Sequence, residues 1–352
     1  MNKQKMSMLF SGIMAAAIIL CSGCAASTPD NSSGGSAAGK TFAIVTKAMG
    51  NPYNMREAEG FKEVIEAEGG TCIIVQPEHP TAAEQIPILQ SLISQKVDAI
   101  AIAANDEATL IEPLKEVSAA GIKVCTLDSD LDVASRATFC NQTSTQLIGQ
   151  ILIDAVYDIT GGEGQYAILS ATTEASNQNA WIDVMKKIAE EDEKYANLEL
   201  VTIAYGDDEA DKSASETATL LADYPDLKVI CAPTAAGIAA AAKVIQDQDS
   251  AVKITGLGLP STMAEYISED GPCPYMYLWN HIDLGKLAAY TSIALVDGTI
   301  TGAVGETLDA GEMEGSPYTL TALESDGNAS EIIMGEPFRF TPDNISEWKD
   351  AY

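Results

Sequence analysis

The chain has 352 residues, with 20 Lys and Arg against 51 Asp and Glu and a formal net charge of −31. A surface this acidic repels nucleic acid and anionic lipid, which excludes functions that rest on neutralising phosphates. Of the seven cysteines, the five other than Cys21 and Cys24 show no CxxC spacing, and with two histidines far apart in sequence they leave no zinc pattern and little basis for histidine catalysis.

In chain order, Lys3 and Lys5 precede an apolar run from Met8 to Leu20, followed by Cys21-Ser22-Gly23-Cys24. A charged start, a short apolar stretch and small residues before a cysteine read as a lipoprotein export signal over residues 1–23, with Cys24 as the lipidation site. The run is shorter than the ~20 apolar residues that span a bilayer. Residues 24–40, rich in Ser, Gly and Ala, lack the apolar surface to fold and are expected to form a flexible tether. The folded part is therefore expected outside the cytoplasm, held to the outer face of the cell membrane.

From Thr41 onward, short β-rich runs alternate with stretches at helical spacing. The first series is TFAIVT and a helix over 52–68, TCIIVQ and a helix over 81–95, DAIAIAA and a helix over 107–120, then IKVCTL. A second series is QYAILSA, LELVTIAYG, LKVICAP and VKITGLG, each followed by a helical segment. Continuous apolar strands between helices mark parallel sheets covered on both faces. The fold class is α/β, with two doubly wound lobes. Cys72, Cys125, Cys140 and Cys231 fall inside apolar runs, where a thiol acts as a small core residue.

Ligands of open α/β sheets bind outside the carboxyl ends of the strands. Those positions carry Lys47 and Asn51 after the first strand, Asn105 after the third and Asp128 and Asp130 after the fourth. In the second series they carry Asn177 and Gln178, Pro233 to Ala235, and Trp279 with Asn280. Amides and a carboxylate hold hydroxyls in fixed orientation, and Tyr53 and Trp279 offer aromatic platforms, so the inventory suits a polyhydroxylated ligand. Trp181, inside a helix, reads as core. A turn directly after a strand is expected to separate Asp128 from Asp130, so no catalytic pair is expected. No GxxxxGK[ST] loop is present, which assigns any ATP hydrolysis to a separate subunit.

The segments TKAMGNPY, VDAIAIAANDE, GIKVCTLDSD, FCNQ, ASNQNAW, YGDDEADKS, VICAPTAAGIAAAA, GLGLPSTM and YLWNHIDLGK together resemble the type I periplasmic sugar-binding proteins. The branch is the one that includes rhamnose-binding and autoinducer-2-binding proteins of ABC importers. The resemblance implies a monomer of two lobes joined by a three-segment hinge. The first lobe would hold 41–142 plus 283–305 and the second 143–282 plus 306–352, with crossings near 140–146, 279–283 and 301–317. It implies a small sugar such as rhamnose as ligand, a membrane permease as partner, and no cofactor or metal. Carried over by position, the autoinducer-2 site falls on Lys47, Asp128, Asn177, Gln178, Pro233 and Ala235, matching in residue type except at Asn177, where that pattern has Asp. Asn280 likewise replaces an Asp. Both amides resemble rhamnose-binding members, whereas Ala235 resembles signal-binding ones. Import of autoinducer-2, or sensing on behalf of a membrane receptor, stays open as an alternative.

Overall fold

The computed structural model describes residues 36–323 and 326–350. The export signal, Cys24 and most of the tether lie outside the described residues. The tether's last residues do not stay free. Ser36 donates through its backbone N and its Oγ to the Glu68 carboxylate, both at 3.0 Å, and Ala37 is fully buried.

The first lobe begins with β1 (Thr41–Val45), α1 (Pro52–Ala67), β2 (Thr71–Val75), α2 (Ala82–Gln95), β3 (Ala99–Ile102), α3 (Glu107–Ala119), β4 (Lys123–Leu127) and β5 (Phe139–Asn141). The chain then enters the second lobe through α4 (Thr145–Thr160), β6 (Gly164–Ser170), α5 (Ser176–Glu191), β7 (Leu198–Tyr205), α6 (Ala210–Asp223), β8 (Leu227–Ala232), α7 (Ala235–Asp247), β9 (Lys253–Gly256), α8 (Pro260–Met263) and β10 (Met276–Leu278). It returns to the first lobe with α9 (His281–Asp297), β11 (Thr307–Leu308), β12 (Tyr318–Thr319), β13 (Thr321–Leu323) and β14 (Asp326–Ile333). It ends in the second with β15 (Phe338–Phe340) and α10 (Ile345–Trp348).

The first sheet has the order β13-β14-β5-β4-β3-β1-β2 and the second β7-β6-β8-β9. All neighbours are parallel except the antiparallel β13–β14 edge. The apolar run of β1 serves both faces, because alternate side chains point oppositely. Phe42 and Ile44 join the core under α1 and α9, while Ala43 and Val45 join the one under α2 and α3. Helices α1 and α9 pack backbone to backbone. A Cβ on Gly60 would stand 2.1 Å from the Ile282 carbonyl oxygen, and one on Gly285 would stand 1.9 Å from that of Glu57.

The third crossing differs from the expected one. Strands β11 to β14 remain with the first lobe: Leu308, Tyr318, Leu320 and Ile332 are in its core, and β14 pairs with β5 through Glu331↔Phe139 to Ile333↔Asn141. Only after Ile333 does the chain cross, and β15 then pairs with β10 through Phe340↔Met276. The boundary placed at 305 therefore moves to the residues between Ile333 and Phe338. The pair Ile332-Ile333 sits in a stretch rich in Asp, Gly, Asn and Ser that carries loop composition, so its pairing was not visible. At the crossing, Asn141 Nδ2 donates to Glu331 Oε2 at 2.7 Å and Met334 N donates to the Asn141 carbonyl at 2.8 Å.

Candidate functional site

The carboxyl ends of both sheets face a common cavity of about 50 Å³. Lys47, Asn51, Tyr53 and Asp128 line it from the first lobe, and Asn177, Gln178, Pro233, Ala235 and Trp279 from the rest of the chain. Each arrives for a local reason. Asn51 caps α1, its side chain accepting from Tyr53 N at 2.9 Å with Pro52 in the first turn, and this fixes the helix start beside the cavity. Asp128 leaves β4 in the left-handed region, φ 60, which turns its side chain back over the strand end. Asn177, Gln178 and Trp181 share one face of α5 by their spacing.

A charged network joins the walls. Lys47 Nζ lies 3.3 Å from Asp128 Oδ2 and donates to Asn177 Oδ1 at 3.1 Å, while Asn177 Nδ2 donates to Asp128 Oδ2 at 3.4 Å. Tyr53 Oη donates to Asp128 Oδ1 at 3.1 Å and accepts from Trp279 Nε1 at 2.8 Å. Gln178 Oε1 accepts from Ser170 Oγ and Ala171 N, both at 2.7 Å, which leaves its NH₂ group for the cavity. Trp279 meets Tyr53 and Trp181 edge-on at centroid distances of 6.4 and 6.0 Å, and His281 stacks on Tyr53 at 4.8 Å.

This enclosure shifts the nearby ionisable groups. Burial raises the Tyr53 phenol well above its ordinary value, with the Asp128 charge adding to it. Glu57, fully buried one turn along α1, is also pushed well up by burial and by Asp128, against the opposing pull of Lys47. Burial lowers His281 to about 4 and keeps it neutral.

Two expected site residues are not in the cavity. Asn105 lies behind it, donating through Nδ2 to the Lys47 carbonyl at 2.9 Å and through its backbone N–H to Gln85 Oε1 at 3.0 Å, so it holds the Lys47 loop. Asn280 caps α9: its Oδ1 accepts from Ile282 N and Asp283 N, and its Nδ2 donates to Asp283 Oδ2 at 2.6 Å. Both amides stand at strand ends but spend their hydrogen bonds on the fold. Asp130 is held apart from Asp128 by Arg136, whose Nε donates to Asp130 Oδ1 at 2.6 Å, and by Thr126 Oγ1 at the same distance.

The cavity also has walls that were not anticipated, Asn54, Trp181, Asp208, Leu257 and Leu278, and Thr234 of the expected 233–235 turn joins them. Asp208 stands in a DD pair directly after the β7 run and Thr234 lies between two expected residues, so position alone pointed to both. Trp181 belongs to the core and to the cavity wall together. Enclosure in the cleft raises Asp208, opposed by Thr234 and Lys47. Among the described residues no group of three or more His, Cys, Asp or Glu is placed to hold a metal ion, and no helix is long and apolar enough to cross a membrane.

The sequence profile of a family described as a periplasmic binding protein domain matches residues 42–300. An ABC transporter solute binding protein from Clostridium phytofermentas, solved with bound L-rhamnose, is 50% identical, with 90% of this chain and all of that one covered at a TM-score of 0.87. A sugar ABC transporter structure from Actinomyces odontolyticus is 35% identical, with 88% of this chain and 97% of that one covered at a TM-score of 0.68. The D-ribose/D-allose-binding protein of Pseudomonas aeruginosa is 25% identical over 205 residues, 54% of this chain and 61% of the relative. The chain spans about three fifths of the length of the curated relatives it matches.

Proposed function

The chain belongs to the periplasmic binding protein family, and from that premise we propose that it is the extracytoplasmic substrate-binding protein of a carbohydrate ABC importer. It is a binding protein, not an enzyme. Its ligand is a small sugar such as L-rhamnose, taken between the lobes by hinge closure and released to a permease with a separate ATPase. The observation that carries this reading is the cavity itself. A buried carboxylate at Asp128 and amides at Asn177 and Gln178 meet there beside an indole wall, in a chain half identical to a rhamnose-bound protein. Asn177 is central, because its NH₂ group donates where a carboxylate only accepts.

A thermal-shift screen with L-rhamnose, D-ribose, L-fucose, D-fructose and autoinducer-2 tests the proposal. A ligand at about 100 times its Kd stabilises the native state by about 2.7 kcal/mol, so L-rhamnose should raise the melting temperature by several degrees. A rise with autoinducer-2 alone overturns the sugar reading and promotes import of that signal, which Lys47, Asp128, Gln178, Pro233 and Ala235 favour by residue type. A sensor role would leave sugar uptake intact when the protein is deleted.

Cys24 is proposed to carry the lipid, and the mature protein to act as a tethered monomer. Cys24→Ala should release it from membranes with ligand binding unchanged. Membrane association that survives the substitution removes Cys24 as the anchor.

A further inference from the structure

We propose that Asp208 determines ligand specificity as the second lobe's hydroxyl acceptor, facing Asp128 across the cavity. The inference rests on the sugar-binding reading and adds a demand on the ligand, which must present a hydroxyl donor on the second-lobe side.

The backbone delivers this side chain at a cost. Asp207 and Asp208 follow β7 as consecutive left-handed residues, φ 53 and 55. Such a conformation is unfavourable for most L-residues, and Asp is among the few types that tolerate it. The two neighbouring carboxylates then diverge. Asp207 pairs with Lys212 outside, while Asp208 lines the cavity. Asp128 reaches the cavity by the same device at the end of β4, so each sheet aims one carboxylate inward from a left-handed residue at a strand's carboxyl end.

Asp208 is fixed but not saturated. Thr234 Oγ1 donates to its Oδ1 and also accepts from Gly237 N at 3.5 Å as the cap of α7, which commits the hydroxyl in both directions. No described residue donates to Asp208 Oδ2. Lys47, the cation whose field reaches it, is already engaged with Asp128 and Asn177. A carboxylate only accepts, so this point admits a ligand hydroxyl and repels a carbonyl, ether or acid oxygen.

The test is calorimetry on wild type, Asp208→Asn and Asp208→Ala with whichever screened sugar binds, L-rhamnose first, and with its singly deoxygenated derivatives. Melting temperatures serve as the folding control. Asn tolerates the left-handed backbone, so that variant remains informative if Ala unfolds. Both variants should weaken the parent sugar about tenfold or more. For one deoxy derivative the loss should vanish, because removing the hydroxyl and removing the carboxylate break the same bond and are not additive. Unchanged affinity in folded variants, or losses that add for every derivative, overturn the role of Asp208 while leaving the sugar reading intact. Failure of the folded wild type to bind any sugar overturns that reading, and this proposal with it.

Discussion

The two walls of the cavity are built differently. In the first lobe, Lys47 and Tyr53 both bind Asp128, Trp279 donates to Tyr53 from the facing wall, and Glu57 and His281 pack behind. That wall is tied together by its own side chains. In the second, Gln178 and Asp208 are each anchored through one oxygen and keep polar capacity for the cavity, and Asn177 reaches across to the opposite wall. The first wall thus couples affinity to stability, whereas the second adjusts affinity with little effect on the fold.

The strongest way to break this contrast is Asp128→Ala. Losing a charged acceptor should weaken sugar binding about tenfold to a hundredfold. It also leaves Lys47 buried without its carboxylate, which should lower stability by about 3 kcal/mol. Calorimetry and denaturant unfolding read the two effects separately. Loss of affinity at unchanged stability would show the first wall to be no more coupled than the second.

The pH dependence of unfolding probes the groups behind the first wall. His281, lowered from 6.5 to about 4, contributes stability that is present above pH 6.5 and lost as pH falls through 4. A shift of that size corresponds to about 3 kcal/mol. Glu57 has the opposite sign. Its raised value favours the native state below the ordinary carboxylate range, and this contribution is lost as pH rises through the raised value. Melting temperatures should therefore fall as pH drops from 6.5 through 4, where His281→Asn flattens the limb, and fall as pH rises above the ordinary carboxylate range, where Glu57→Gln flattens it. Curves for the variants that run parallel to wild type would remove both groups from the account.

On the second wall, Asn177→Asp sets another carboxylate against Asp128. It should weaken sugar binding by about 1–2 kcal/mol, or roughly tenfold, and strengthen autoinducer-2 binding, with the melting temperature nearly unchanged. A large drop in melting temperature would erase the distinction between the walls. The smallest effect belongs to Asn280→Ala, which removes a helix cap worth about 1 kcal/mol and should leave affinity as it is. A change in affinity there would return Asn280 to the cavity.

These outcomes follow from what the sequence made legible and what it hid. Runs such as TFAIV and LKVICA announce parallel strands because both their faces are buried, and the strand order then brings Lys47, Asp128 and Pro233 to one place. Strand-end position was visible, but side-chain direction was not. Asn105 and Asn280 turn to backbone groups while Asp208 turns inward, and the difference lies in hydrogen-bond partners and in a left-handed φ that residue type alone does not reveal. Strands β13 and β14 were missed for the converse reason, since β13 at the sheet edge and the exposed first half of β14 carry few apolar residues.

The bracing between Asn141 and Glu331, with Met334 donating to the Asn141 carbonyl, makes the first and third crossings a single paired ribbon instead of two independent linkers. A ribbon of that kind bends about its short axis and resists torsion, and the remaining crossing at 278–281 stands apart from it. For the closure proposed above, two such attachments would favour a swing of the lobes over a twist. Closure along that one arc would bring Asn177 back to the Lys47 and Asp128 contacts it makes in this structure.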